Sequence, residues 1–107
     1  MEVVDEKSSC TVRVTFTDEK GLEVVPSSAS YRIDDEKGSV YTEVKTDTSF
    51  TPASSVHDIE ITDNENRILA TANRQETRLV TLSWTYDTDK KGNAAYRYRV
   101  KNLAKVT

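Results

Sequence analysis

Val80-Thr81-Leu82-Ser83-Trp84-Thr85-Tyr86, followed across a turn by Ala94-Ala95-Tyr96-Arg97-Tyr98-Arg99-Val100-Lys101, decides the fold class. Val80, Leu82, Trp84 and Tyr86 alternate with Thr81, Ser83 and Thr85. Ala94, Tyr96, Tyr98 and Val100 alternate with Arg97, Arg99 and Lys101. A period of two marks a strand with one buried and one wet face. The segment between them holds Asp89-Lys90-Lys91-Gly92. An Asp at the first turn position caps through its side chain, and a Gly at the fourth takes a left-handed backbone without steric cost. The pattern predicts a type I turn closed by a glycine bulge, and hence a hairpin.

The same signal recurs upstream. Asp18-Glu19-Lys20-Gly21 and Asp35-Glu36-Lys37-Gly38 hold the other two of the three glycines. Three such hairpins predict antiparallel strands in meander or Greek-key order. Alternation also places Cys10, Val12, Val14 and Phe16 in one inward row, and Ala29, Tyr31 and Ile33 in another. Val40, Thr42 and Val44 make a third row, and Ile59 and Ile61 a fourth. Leu22–Val25 reads as a return arm. The window Asn66–Glu76 lacks a continued helical stripe and predicts a single helical turn or a short strand. Pro26 and Pro52 each precede a strand and are expected at corners where the chain crosses between sheets. The sum is about seven strands with turn signals every 8–12 residues. This predicts an all-β, antiparallel immunoglobulin- or fibronectin-like sandwich over residues 10–107, with an open barrel as the alternative. Residues 1–9 are polar and charged and read as a flexible N-terminal arm.

Composition narrows the chemistry. The 107 residues are the size of one domain, 36% apolar and 31% charged, with a net charge of −3. A duplex DNA binder carries a basic surplus, so nucleic acid is not an expected partner. Anionic membrane surfaces are disfavoured by the same sign. Met1–Lys7 is acidic and lacks the apolar run of a signal peptide or membrane span. With one cysteine no internal disulfide can form. Folding in a reducing cytoplasm is the expectation.

Catalysis by a nucleophile needs a base within reach and a group to orient it. His57 is the single histidine, within Ser54-Ser55-Val56-His57-Asp58. Adjacent residues on a strand point to opposite faces, so His57 and Asp58 are expected to diverge. Cys10, on an inward row, reads as a small buried hydrophobe. One His and one Cys cannot fill a structural zinc site. Asp34-Asp35-Glu36 and Asp63-Asn64-Glu65-Asn66 are acidic but lack EF-hand spacing. No phosphate-binding loop or dinucleotide fingerprint occurs. The chain is therefore expected to be no enzyme and to need no cofactor or metal. The remaining candidate is a surface: Arg97, Arg99 and Lys101 on the outer face of the last strand, extended by Arg78. Such a row docks an acidic partner or another copy of the chain, or else guards a sheet against aggregation.

The ordered segments carry a resemblance. They are Thr15–Gly21, Val25–Asp34, Thr51–Ser55, Ile59–Thr62, Glu76–Leu82 and Tyr96–Leu103. Together they resemble the short Ig-like proteins of structural gene clusters in tailed bacteriophages and prophages. The resemblance spans nearly the whole chain after Ser9 and rests on turn and strand patterns. It implies a head- or tail-associated component of the virion, assembled in the host cytoplasm, whose partners are phage structural proteins or further copies of itself. It supplies no catalytic residues. The alternative function is a cell-surface recognition module for a carbohydrate or peptide, with Tyr41 the aromatic outside the inward rows.

Overall fold

The computed structural model describes residues 2–103. It is nearly all β, with seven strands: β1 (Glu2–Asp5), β2 (Cys10–Thr15), β3 (Ser28–Lys37), β4 (Val40–Phe50), β5 (Val56–Ile61), β6 (Gln75–Tyr86) and β7 (Lys90–Lys101). A five-stranded sheet has the order β1-β7-β6-β3-β4, and β2 and β5 form a second sheet. Every pairing is antiparallel except one. β1 runs parallel to β7, with Glu2 opposite Tyr98 and Asp5 opposite Lys101, so the large sheet is mixed. Four residues of the expected arm are thus placed as a strand. Backbone bonds from Glu6 to Lys101 and from Lys7 to Asn66 hold the link that follows.

Alternation orients most of the chain. Val12, Val14 and Phe16 of the β2 segment and Ile59 and Ile61 of β5 are buried. They face Ala29, Tyr31, Ile33, Val80, Leu82, Trp84, Tyr98 and Val100 of the large sheet. Each such large side chain contributes roughly 1.5–3 kcal/mol on leaving water. The Phe16 ring sits edge-on to Trp84 at 5.3 Å. Pro26 lies between the β2 hairpin and β3, and Pro52 between β4 and β5. Two of the four chain crossings from sheet to sheet, β2 to β3 and β4 to β5, therefore run through a buried proline.

Three expectations change. The row Val40, Thr42, Val44 is inward only at Val44, which is half-buried against the core; Val40 and Thr42 are exposed, because β4 is an edge strand with two register shifts against β3. Ala94 is likewise exposed on the uncovered half of β7. The window from Asn66 contains no helix. Short turn bonds (Glu65 N–H to Thr62, Asn66 N–H to Asp63, Arg67 N–H to Asn64) lead into a loop, and β6 starts at Gln75.

Of the three Asp-to-Gly segments, one is the turn that was read. At Asp18–Gly21 the Gly21 N–H reaches the Asp18 carbonyl at 3.0 Å. The Asp18 carboxylate accepts from Lys20 and Leu22, and Gly21 has φ 79°. In the second, the reversal moves to Gly38-Ser39, with Lys37 opposite Val40 and Gly38 at φ 62°. A glycine with positive φ at the first central position is the mark of a type II′ turn. Asp35 consequently lies in β3. In the third, the turn falls on Asp87-Thr88-Asp89, with positive φ at Asp87 and Thr88. Gly92 is a strand residue opposite Trp84, and a Cβ there would collide with the indole ring. Glycine is needed for close approach, not for a turn.

Candidate functional site

Strand register lays out the outer face of the large sheet. Arg97 is opposite Leu79, Arg99 opposite Thr77, and Lys101 opposite Gln75. Arg97 reaches over β6 to Glu36 of β3 with two bonds, Nε at 2.8 Å and Nη2 at 3.1 Å. That guanidinium holds the Glu36 carboxyl below the usual range. On β3, Arg32 donates two bonds to Asp34, at 2.9 and 2.8 Å, and lies 3.5 Å from Glu43. The basic row is therefore answered at Arg97 by Glu36 of β3, while Glu43 of β4 answers Arg32. Arg99 is exposed and makes no ion pair among the described residues. Tyr41 is exposed on the same face, opposite Glu36. Further along, Ser49, Ser30, Ser83 and Asn93 form a continuous cross-strand row. They line a shallow depression of about 320 Å³ with Lys91 at its rim.

Arg78 does not extend the outer row. Counting by two from Val80 puts Arg78 and Glu76 on the inward side of β6, and both are buried. Arg78 has no exposed surface. Its Nη1 donates to Asp35, and its Nη2 donates to the Arg67 carbonyl at 2.6 Å and to Glu76 at 3.0 Å. Its Nε–H is buried without an acceptor among the described residues, which subtracts from the cluster's stability. Glu76 also accepts from the Leu69 N–H at 2.7 Å, the Ala70 N–H at 2.9 Å and Asn73 at 2.8 Å. Burial pushes the Glu76 carboxyl up, but these donors and Arg78 outweigh it and hold it below its ordinary value. Asp35 moves the other way. Burial raises it, with Glu76 adding to the rise, and Arg78 only partly compensates.

This cluster anchors the long loop between β5 and β6. Asn66 is fully buried. It donates to the Ser8 carbonyl at 2.7 Å and accepts from the Tyr98 hydroxyl at 2.7 Å. Glu65 caps Thr62 and pairs with Lys45 at 2.9 Å. Asn102 donates to the Thr71 and Asn73 carbonyls. The acidic stretches thus serve the fold. Among the described residues no three His, Cys, Asp or Glu side chains gather as a metal site.

His57 and Asp58 diverge as the strand geometry requires. The imidazole stacks on Phe50 at 4.5 Å, while Asp58 pairs with Arg13 at 2.8 Å on the opposite face. Ser54 bonds the Val56 carbonyl and Ser55 bonds Glu23, so the two serines turn away from His57. Cys10 is half-buried beside Asn66, whose amide lies 3.5 Å from the sulfur.

No family model, curated protein or solved structure matches the chain. The site is accordingly described by its own geometry: a broad, polar outer sheet face, with a buried ionic cluster at one end of the opposite face.

Proposed function

We propose that the chain is a non-enzymatic structural or assembly protein of a tailed phage or prophage particle, built as an Ig-like sandwich and acting through protein–protein contacts. The observation that carries the reading is the outer face of the five-stranded sheet, a polar surface with exposed cations on β7. The reading is supported by the engagement of Asp58 with Arg13, Ser54 with the Val56 carbonyl and Ser55 with Glu23, and by the stacking of His57 on Phe50. For the Ig-like reading, β2 and β5 take the places of strands B and E. β3, β4, β6 and β7 take those of C, C′, F and G. The lone Cys10 on β2 and the tryptophan on β6 depart from the antibody pattern, which has a Cys pair and a Trp on strand C.

Charge reversal tests the contact. Arg97→Glu with Arg99→Glu is expected to abolish co-assembly with the neighbouring particle protein, or self-association by light scattering, while circular dichroism is unchanged. Unaltered assembly sinks the docking face. Capsid, portal or tail genes beside this one would support the particle assignment, and their absence would count against it. The second reading, carbohydrate recognition, is favoured by Tyr41 alone, a residue 52% exposed on the outer face. A monomer that binds on a glycan array and loses binding with Tyr41→Ala would replace the structural reading.

A further inference from the structure

The large sheet has an edge that is only half closed. β1 covers Tyr98–Lys101 of β7. Along the same edge, no strand among the described residues pairs with 91–97. Beside this open half lies a slot of about 340 Å³. It is bounded by Thr15, Thr17, Asp18 and Glu19 of the first hairpin on one side and by Lys91–Ala94 on the other, with Trp84 and Tyr86 at its base. The base is fixed. Trp84 Nε1 donates to the Thr17 carbonyl at 3.2 Å, and Tyr86 and Lys90 both bond Glu19.

The other edges are blunted. β4 carries two register shifts and the charges Glu43, Lys45 and Asp47, and β5 carries Asp58 and Glu60. Bulges and charges are the usual guards against strand addition. β7 has no bulge at the slot, since its pairing with β6 runs from Lys90 to Lys101 without a shift, and the charges of its open segment, Lys91 and Arg97, are of one sign. A straight, unpaired edge beside a small apolar base is a template for an added strand.

We infer that residues 91–97 of β7 accept an extended acidic peptide segment from a protein partner, which pairs along the edge in continuation of β1. Charge selects the occupant. The outward positions of the open segment are Lys91, Asn93, Ala95 and Arg97, two of them cationic, with Arg97 also bonded to Glu36; Arg99 and Lys101 continue the basic row where β1 pairs. On the inward side, Ala94 and Gly92 leave room for small apolar side chains, while Asp18 and Glu19 repel acidic ones. The occupant therefore alternates acidic residues outward with small apolar residues inward. β1 follows this rule at two of its four positions on the edge, Asp5 opposite Lys101 and the buried Val4 opposite Val100, and departs from it at Val3 opposite Arg99 and at Glu2 opposite Tyr98. A segment of five or six residues, about 17–20 Å long, fills the open edge. The inference is independent of the particle reading, since it specifies the peptide's chemistry and not the protein that carries it.

The test is titration of isotope-labelled protein with the end-capped heptapeptide Asp-Ala-Asp-Val-Asp-Ala-Asp and with its counterpart bearing Lys for Asp. The acidic peptide is expected to shift the amides of Asn93–Arg97 and slow their hydrogen exchange. Ala94→Lys, which adds a charge facing the slot at an exposed position, should weaken binding at least about tenfold with the melting temperature unchanged. Arg97→Glu with Arg99→Glu should transfer preference to the lysine peptide. Absence of shifts at about 1 mM peptide, shifts mapping to β4 or β5, or equal binding of both peptides each overturns the inference. The outcome is separable from the particle reading, which is decided by co-assembly.

Discussion

The two ends of β6 bury the same face by opposite means. At one end Trp84 and Tyr86 continue the inward row with rings, the indole lying against the bare backbone of Gly92 and edge-on to Phe16. At the other, Glu76 and Arg78 continue that row with charges. Apart from the Arg78 Nε–H, their hydrogen-bonding capacity is taken up by Asp35, Asn73 and the backbone of the β5–β6 loop. A ring end needs shape, and small errors in volume are felt there. A charged end needs completeness, because a half-satisfied buried network is worse than an apolar one. The difference teaches that periodicity fixes which way a side chain points, whereas polarity does not.

Removing the cation should give the largest effect. Arg78→Met leaves the half-buried Asp35 and the buried Glu76 without their counter-ion, and loss of one partner from a buried pair costs about 3–5 kcal/mol. Urea unfolding would register it as a fall in midpoint with little change in slope. A loss below about 1 kcal/mol would mean that water reaches the cluster, and the contrast between the two ends would collapse.

The ring end breaks by volume. Gly92→Val places two methyl groups where the Trp84 ring lies, at an overpacking cost of about 1–3 kcal/mol. Trp84→Leu is itself destabilising, but it should remove most of the added penalty of Gly92→Val. A double-mutant cycle measures that coupling. If Gly92→Val costs the same in both backgrounds, glycine at 92 is required by the backbone and not by the indole.

These two ends also mark how far the sequence could be read. Alternation through Val80–Tyr86 and Tyr98–Val100 was legible, because each inward position is apolar and each strand is regularly paired. The same parity carried two steps back from Val80 places Arg78 and Glu76 inside. Their charge concealed it, since charged side chains are almost never fully buried unless paired. The partners that make burial tolerable, Asp35 and the Arg67 carbonyl, are 43 and 11 residues distant in the chain. The glycine signals were legible as breaks in pattern but not as turns of one kind. Local sequence fixes a turn at Asp18–Gly21, whereas Gly92 answers to a tryptophan on the neighbouring strand. The outer row of Arg97, Arg99 and Lys101 was legible by parity. Its neutralisation at Arg97 was not, because Glu36 reaches it from across β6.

Acid sharpens the contrast by separating the charged end from the exposed ion pairs. Glu76 is held below its ordinary range in the fold, so the folded state binds its proton less readily than the unfolded chain. Its stabilising contribution is complete above the ordinary glutamate value of about 4.3 and is lost as pH falls through the lower folded value. Asp35 has the opposite sign. Its folded value is raised, so the cost of holding its charge in the fold is relieved as pH falls through that value. The net acid response of the cluster is the difference between them, and Glu76→Gln removes the destabilising arm. It also removes the nearby charge that helps to raise Asp35. The unfolding free energy of Glu76→Gln, measured by urea titration at a series of pH values, should be lower than wild type at pH 7. It should also fall less steeply between about pH 5 and 3. Glu19 at the ring end is likewise held low, chiefly by its bonds to Lys90 and Tyr86, but it is exposed and screened by water. Glu19→Gln should therefore leave the acid limb nearly as steep as wild type. If the two variants flatten that limb equally, the buried cluster contributes no more to acid sensitivity than a surface pair does. The two ends of β6 would then differ in shape but not in electrostatics.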